Sequence, residues 1–207
     1  VKRMEFAPPS LDSLVFFFGG GKNITICYVS RVEKSKGLDT LEEVSKLLSE
    51  EGLDRYVKVD FYGQKTDSYF DKHLSEIRMF EYQGVLQPDE VIPTLKRYDA
   101  LIFPSHYEGE GCPGILVEAL SASLPIIASE WKYNNEFVSN GDNGFLCNTF
   151  DPAAYVDAIK LLLMNKTLRS RMAARAYERS GDYSMSKARE LVRGYLATTS
   201  CIGSFWL

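Results

Sequence analysis

The chain has 207 residues, of which 45% are hydrophobic, 13% aromatic and 25% charged, a composition typical of a globular protein with one substantial core. The formal net charge of −4 and an isoelectric point near 5.3 argue against a nucleic-acid-binding surface and against a polybasic membrane surface. No apolar run approaches the roughly 18 residues of a membrane-spanning helix, and the opening residues, VKRMEFAPPS, lack the pattern of a secretory signal peptide.

Four cysteines lie far apart in the sequence, at Cys27, Cys112, Cys147 and Cys201. None belongs to a Cys-x-x-Cys pair or to a cysteine and histidine cluster with the spacing of metal ligands, which argues against a zinc site and against a disulfide framework. The pattern favours a reducing compartment. We therefore predict a cytoplasmic protein that holds no metal ion.

Residues 1–22 precede the first regular element and are predicted to form a linker. Their Ala-Pro-Pro-Ser run favours extended or turn structure, and three consecutive glycines at 19–21 favour a flexible joint. The sequence does not begin with methionine, which we interpret as the mark of a fragment or a processed product. Residues 23–29 (NITICYV) are β-branched and aromatic and predict a buried first strand.

The loop at residues 30–37 (SRVEKSKG) leads from this strand into a predicted helix that runs to about residue 51. Asp39 and Glu42 have the spacing of a capping pair at the start of that helix. Arg31 and Lys36 flank the strand-to-helix turn, where cationic side chains are well placed to bind phosphates. The alternative is that these two of 24 basic residues belong to an ordinary solvated loop.

The following elements repeat the alternation of strand and helix. Strands are predicted at residues 57–63, 80–85 and 145–147, and helices at 69–79, 88–98, 151–165, 167–181 and 186–197, with a helical turn at 134–138. Asp151 and Pro152 supply a cap and a first-turn proline. This order predicts an α/β protein with a Rossmann-like parallel sheet, helices on both faces, additional carboxyl-terminal helices and an apolar tail at 199–207.

The stretch from residue 101 to residue 129 (LIFPSHYEGEGCPGILVEALSASLPIIAS) predicts a strand, a loop, a helix and a second strand. Pro113 suits the first helical position because it lacks an amide proton, and glycines at 109, 111 and 114 favour tight folding of the loop. The amides of Gly114 and Ile115 then face a ligand at the helix mouth, where a phosphate gains hydrogen bonds and the favourable end of the helix dipole.

Two carboxylates belong to this stretch, Glu110 in the loop and Glu118 about two helical turns further on. Because carboxylates repel phosphate, both are better suited to accept hydrogen bonds from sugar hydroxyls. Cations, helix-mouth amides and carboxylates in one site predict a sugar attached to a nucleoside diphosphate. The alternative is a solvent-exposed acidic loop, with Glu118 on an ordinary helix surface.

Three segments together resemble one protein family. The segments SRVEKSKG at 30–37 and EGCPGILVEALSASLPIIAS at 110–129 resemble the two motifs of family-4-type retaining glycosyltransferases, and NNEFVSNGDNGFL at 134–146 resembles the segment that follows in that family. Those enzymes have a fold of two Rossmann domains. The likeness extends over about residues 23–165 and implies that residues 23–198 form the carboxyl-terminal domain, which binds the nucleotide sugar.

The resemblance also implies roles for individual residues. Arg31 and Lys36 match residues that hold the donor diphosphate, Glu118 matches the ligand of the ribose hydroxyls, and Glu110 matches the residue that contacts the transferred sugar. On this basis we predict Arg31, Lys36 and Glu110 as catalytic residues. The predicted substrate-binding residues are Ser30, Gly111, Cys112, Gly114, Ile115 and Glu118.

Two residues depart from the usual family motifs. Ser30 replaces a glycine, which narrows the approach to the diphosphate and adds a hydroxyl donor. Pro113 replaces a glycine in many members, which removes an amide that would reach the sugar. The nucleotide part of the assignment therefore has more support than the sugar part.

The family's other Rossmann domain, which binds the acceptor, would precede residue 1. The resemblance thus implies the donor half of an enzyme that transfers a hexose to a glycan or a lipid-linked acceptor, with little or no transfer by this chain alone. The Arg31 and Lys36 cations would replace a metal ion beside the diphosphate, and no cofactor is predicted. The carboxyl-terminal helices and the tail are predicted to pack against the other domain or to contact the cytoplasmic face of a membrane.

Two further functions remain open at this point. One is half of a nucleotide-sugar epimerase with the same two-domain architecture. The other is an α/β binding domain without catalytic activity.

Overall fold

The structure, a computed structural model, describes residues 23–200, with the backbone alone at residue 191 and at residues 194–200. The predicted linker at 1–22 lies outside the described residues. So do residues 201–207, which make up most of the predicted apolar tail.

Six parallel strands form one sheet in the order β3-β2-β1-β4-β5-β6. The strands are β1 (Ile24–Val29), β2 (Val57–Tyr62), β3 (Phe80–Gly84), β4 (Ala100–Phe103), β5 (Ile126–Ser129) and β6 (Gly144–Cys147). This is the strand order of a doubly wound Rossmann-type sheet, which reverses direction between β1 and β4. The predicted Rossmann-like fold is confirmed.

Seven α-helices belong to the described part of the chain. They are α1 (Leu38–Glu50), α2 (Val91–Leu95), α3 (Gly114–Ser121), α4 (Asn134–Phe137), α5 (Pro152–Met164), α6 (Lys166–Ser180) and α7 (Met185–Ser200).

The two faces of the sheet carry separate hydrophobic cores. Side chains alternate along β1, so that Ile26 and Tyr28 pack with α1 and α5 in one core while Cys27 packs with α2 and α3 in the other. Both faces are therefore covered by helices, as expected for a parallel sheet.

Of the predicted helices, the one at 69–79 is wrong and the one at 88–98 is too long. Residues 69–79 contain only a π-helical segment, Phe70–Leu74, followed by turns. After Leu74 the chain follows two turns, in which the amide of Ile77 donates to the carbonyl of Leu74 at 3.1 Å and the amide of Phe80 donates to the carbonyl of Ile77 at 2.9 Å. The helix predicted at 88–98 shrinks to α2, which contains Pro93 in its first turn, where no amide proton is required.

Three details of helix capping can be compared with the sequence. The Asp39 and Glu42 capping pair is wrong, because α1 begins at Leu38 after Gly37 and Asp39 instead accepts a hydrogen bond from the neighbouring Thr40 amide. Pro113 occupies the capping position of α3 rather than its first helical position. The Asp151 cap is confirmed, since its side chain accepts a 3.1 Å hydrogen bond from the amide of Ala153.

Candidate functional site

Two loops meet at the carboxyl-terminal edge of the sheet, where β1 and β4 lie side by side. The first runs from β1 to α1 and the second from β4 to α3. Their contact is direct, because Nζ of Lys36 lies 2.8 Å from Oε2 of Glu110, 74 positions away in the sequence. The reversal of strand order at this point is where open α/β sheets bind ligands.

Gly37 makes the approach of the two loops possible. Its backbone has φ of 87°, in the left-handed region that favours glycine. A Cβ at this position would also lie 2.3 Å from the carbonyl oxygen of Pro104, at the end of β4. Any larger residue would push α1 and its preceding loop away from the second loop.

The ion pair of Lys36 and Glu110 is nearly enclosed. The side chains are 7% and 11% exposed, and the hydroxyl of the buried Ser105 donates a 2.6 Å hydrogen bond to the same carboxylate oxygen. Oε2 of Glu110 is thus held twice, while Oε1 forms no hydrogen bond with a described residue. The carboxylate has one oxygen left to accept a ligand hydroxyl.

Arg31 is the more exposed of the two predicted cations. Its side chain is 47% exposed, and Nη2 lies 3.3 Å from Oε1 of Glu33. Glu33 also accepts hydrogen bonds from Ser35 and Thr66. Burial alone would raise the pKa of Glu33, but these two hydrogen bonds and the charges of Arg31 and Lys36 outweigh it, so the pKa lies below its ordinary value.

Two tyrosines that the sequence did not assign to the site contact the basic loop, residues 30–37, which carries Arg31 and Lys36. The fully buried Tyr28 donates a 2.8 Å hydrogen bond from its hydroxyl to the carbonyl of Arg31. The ring of Tyr107 lies beneath both cations, with its centroid 4.2 Å from Nζ of Lys36 and 4.9 Å from the guanidinium carbon of Arg31. Both tyrosines border predicted site residues, but only the folded chain reveals these contacts.

The amides of Gly114 and Ile115 begin α3 at the same edge of the sheet. Neither is paired with another group of the described chain, as expected for the first residues of a helix. Gly111, Cys112 and Gly114 are exposed. These amides therefore remain available to an anionic ligand.

The sequence suggested that the glycines of this loop serve tight folding, but the structure does not support that explanation. Gly109, Gly111 and Gly114 all lack positive φ values. A Cβ at Gly111 or Gly114 would meet no atom within 4 Å, whereas at Gly109 it would lie 2.6 Å from the ring of Tyr107. Gly109 is thus the one whose small size the surrounding structure requires.

Glu118 lies on the same side of α3 as the helix-mouth amides, since it follows Gly114 by four residues and Ile115 by three. Side chains on a helix lean towards its amino end, so this carboxylate points back towards the mouth. It is half-buried and forms no hydrogen bond or ion pair with a described side chain. Burial raises the pKa of Glu118.

The remaining predicted residue, Ser30, lies at the end of β1. Its amide donates a 3.1 Å hydrogen bond to the carbonyl of Tyr62, which joins the basic loop to the end of β2. The serine is partly exposed beside Arg31. The structure therefore gathers the predicted residues from the ends of β1 and β4 and the start of α3 along one edge.

Residues 23–200 contain neither a candidate metal site nor a candidate membrane span. No group of three or more histidine, cysteine, aspartate or glutamate side chains in this range is arranged to hold a metal ion. No helix in the same range is long and apolar enough to cross a membrane.

Comparisons with known proteins point to one family. Residues 18–179 match the family model described as "Glycosyl transferases group 1". The glycogen synthase of Mycobacterium tuberculosis is 28% identical over 156 residues, which cover 74% of this chain and 37% of that protein. The chain thus spans little more than a third of the length of this relative.

Solved structures share the fold. HepE from Anabaena in complex with UDP and glucose aligns with a TM-score of 0.71 at 16% identity, covering 93% of this chain and 53% of that chain. The C-terminal domain of the glycosyl transferase group 1 family protein LpcC from Francisella tularensis aligns with a TM-score of 0.64 at 19% identity, covering 79% of this chain and 88% of that domain.

Proposed function

Because the chain belongs to the glycosyl transferases group 1 family, we propose that it is the donor-binding half of a retaining glycosyltransferase. Its ligand would be a nucleoside diphosphate sugar. The observation that carries this proposal is the contact of Lys36 with Glu110 at the reversal point of the sheet, which joins a cation for phosphate and a carboxylate for sugar hydroxyls in one site. The UDP and glucose bound to HepE agree with this ligand class.

Arg31 and Lys36 are proposed to bind the diphosphate together with the amides of Gly114 and Ile115. As the bond between sugar and diphosphate breaks, negative charge grows on the leaving phosphate, and preorganised cations and amides stabilise it. Two cations and a helix amino end supply the role that a metal ion has in other phosphate sites. The proposed reaction therefore uses no metal ion and no cofactor.

The two carboxylates are proposed to bind opposite ends of the donor. Glu118 would accept hydrogen bonds from the ribose hydroxyls, because it is half-buried and lacks a partner on the described chain. Glu110 would accept a hydroxyl of the transferred sugar at Oε1, since Lys36 and Ser105 hold its other oxygen. The hydrogen bonds from Lys36 and Ser105 fix the direction of this carboxylate.

Residues near the transferred sugar are proposed to set donor preference. Gly111 and Cys112 are exposed beside Glu110 and would line the sugar. Pro113 has no amide proton to offer, so the sugar would be recognised by side chains more than by backbone at this point. Ser30 would add a hydroxyl donor beside the diphosphate.

The acceptor is proposed to bind between this domain and a second Rossmann domain of the kind that the family resemblance implies. A glycan or a lipid-linked acceptor on the cytoplasmic side of a membrane fits this arrangement. We propose that the 207-residue chain binds the donor but transfers little or no sugar without that second domain. Incubation with UDP-glucose and a glycan acceptor tests this, and efficient transfer by the chain alone would contradict it.

Calorimetric titration with UDP, GDP and their glucose or mannose conjugates tests the donor site. Arg31→Ala and Glu118→Gln should each weaken binding of the preferred ligand by about 1.5–3 kcal/mol, or roughly ten- to a hundredfold, because each loses a charge-assisted hydrogen bond.

Two matched controls lie away from this edge of the sheet. The guanidinium carbon of Arg55 lies 4.9 Å from the ring centroid of Tyr56, the same distance as from Arg31 to Tyr107, but Arg55 precedes β2 at the amino-terminal edge of the sheet. Glu50 is exposed at the end of α1. Arg55→Ala and Glu50→Gln should bind as the unaltered chain does. Absence of binding to every nucleotide, or binding indifferent to Arg31 and Glu118, would leave a non-catalytic binding domain as the better interpretation.

A further inference from the structure

Resting on the proposed function, we infer that Tyr107 is a positioning residue whose ring holds Arg31 and Lys36 in place for the donor diphosphate. Both cationic groups lie less than 5 Å from the centroid of this one ring. They are therefore within about 10 Å of each other, close enough to bind one diphosphate. The face of an aromatic ring attracts cations through its quadrupole.

The ring reduces the effect of the electrostatic repulsion between Arg31 and Lys36. Two like charges at one edge of the sheet repel each other before an anion arrives. Glu33 forms an ion pair with Arg31, and Glu110 forms one with Lys36, but these carboxylates belong to separate loops. The ring of Tyr107 contacts both cations, so it couples their positions without adding a negative charge that would repel phosphate.

The surroundings of Tyr107 hold the ring in a defined place. Gly109 leaves room for it, because a Cβ there would lie 2.6 Å from a ring carbon. Nε1 of Trp131 donates a 3.0 Å hydrogen bond to the backbone carbonyl of Tyr107, which ties the loop to the segment after β5. The Tyr107 hydroxyl forms no hydrogen bond with a described residue, so the ring itself carries the role.

Calorimetric titration with UDP distinguishes the contribution of the Tyr107 ring to binding from that of its hydroxyl. Tyr107→Phe keeps the ring and should bind UDP within about twofold of the unaltered chain. Tyr107→Leu loses the ring and should weaken UDP binding by about three- to thirtyfold. The backbone at residue 109 does not require glycine, so Gly109→Ala should fold, displace the ring and also weaken UDP binding. This variant tests the role of the ring even if Tyr107→Leu folds poorly.

Two further measurements distinguish positioning from direct contact or damage to the fold. Binding of uridine, followed by saturation-transfer NMR, should be the same in all these variants because uridine has no phosphate. The side-chain protons of Lys36 next to Nζ should show an upfield ring-current shift in the unaltered chain and in Tyr107→Phe, and should lose it in Tyr107→Leu. Tyr56→Leu, at the opposite edge of the sheet, should change neither measurement.

The outcomes separate this inference from the proposed function. If Arg31→Ala weakens UDP binding while Tyr107→Leu and Gly109→Ala do not, the positioning role is refuted and the donor site stands. If uridine binding falls as much as UDP binding in Tyr107→Leu, the ring contacts the nucleoside and the positioning role is also refuted. If UDP binding does not depend on Arg31, the proposed function fails and the inference with it.

Discussion

Replacing Lys36 by methionine removes the positive member of the ion pair that joins the two loops of the site. The two atoms are 2.8 Å apart and both side chains are nearly enclosed, so their gross attraction is about 6 kcal/mol at an effective dielectric constant of about 20. Part of this is offset by the cost of removing two charges from water. Breaking a buried pair from one side costs about 3–5 kcal/mol, because the remaining charge is left without a partner.

We therefore expect Lys36→Met to lower the free energy of unfolding by about 3 kcal/mol, the lower end of that range because the pair lies at the edge of a cleft. Methionine keeps most of the aliphatic length, so packing changes little. Urea unfolding followed by circular dichroism measures the effect, and the midpoint should fall while the m-value stays constant. Lys34→Met is the matched control, because Lys34 is an exposed lysine in the same turn.

A second variant tests the cause of the loss. Lys36→Met combined with Glu110→Gln leaves no unpaired charge, and replacement of a buried pair by neutral groups is often close to neutral. The double variant should therefore recover most of the lost stability. A single variant within about 1 kcal/mol of the unaltered chain, or a double variant no more stable than the single one, would refute this account of the pair.

Three other predictions concern separate features. Because burial raises the pKa of Glu118, this carboxylate should become protonated at a higher pH than an ordinary glutamate when the pH is lowered. Calorimetric titrations should therefore show UDP affinity falling at that higher pH, and Glu118→Gln should abolish this pH dependence. Gly37→Ala should lower the free energy of unfolding by about 1–3 kcal/mol, since its Cβ would collide with Pro104 and its φ is positive; a thermal midpoint equal to that of the unaltered chain would contradict this. Asp151→Ala should cost about 1 kcal/mol in urea unfolding through loss of the α5 cap, whereas Asp157→Ala, exposed within the same helix, should cost less than half of that.

The sign of the Glu118 effect on stability is opposite to that of a stabilising carboxylate. Because its pKa in the folded chain lies above its ordinary value, the ionised form is less favourable in the folded than in the unfolded state. Its unfavourable contribution is therefore absent at low pH, where the group is protonated in both states, and develops as the pH rises from the unfolded pKa through the folded one. Glu118→Gln should consequently be slightly more stable than the unaltered chain at neutral pH, and this difference should vanish in acid.

Local sequence patterns predicted the sheet well, because buried strands of a parallel sheet are short apolar runs between helices. The same reasoning failed for residues 69–79, where turns after Leu74 replace the predicted helix and lead into β3. It also failed at Asp39, because α1 begins at Leu38, directly after the left-handed Gly37, so that Asp39 lies inside the helix.

The sequence by itself determined the α/β fold and the edge of the sheet where Arg31, Lys36 and Glu110 would meet. It could do so because the carboxyl ends of parallel strands share one edge. Only the tertiary structure decided that Lys36 pairs with Glu110 and that the ring of Tyr107 lies beneath both cations. These contacts join residues about 70 positions or more apart, and side-chain distances between loops depend on how the strands pack, which no local pattern encodes.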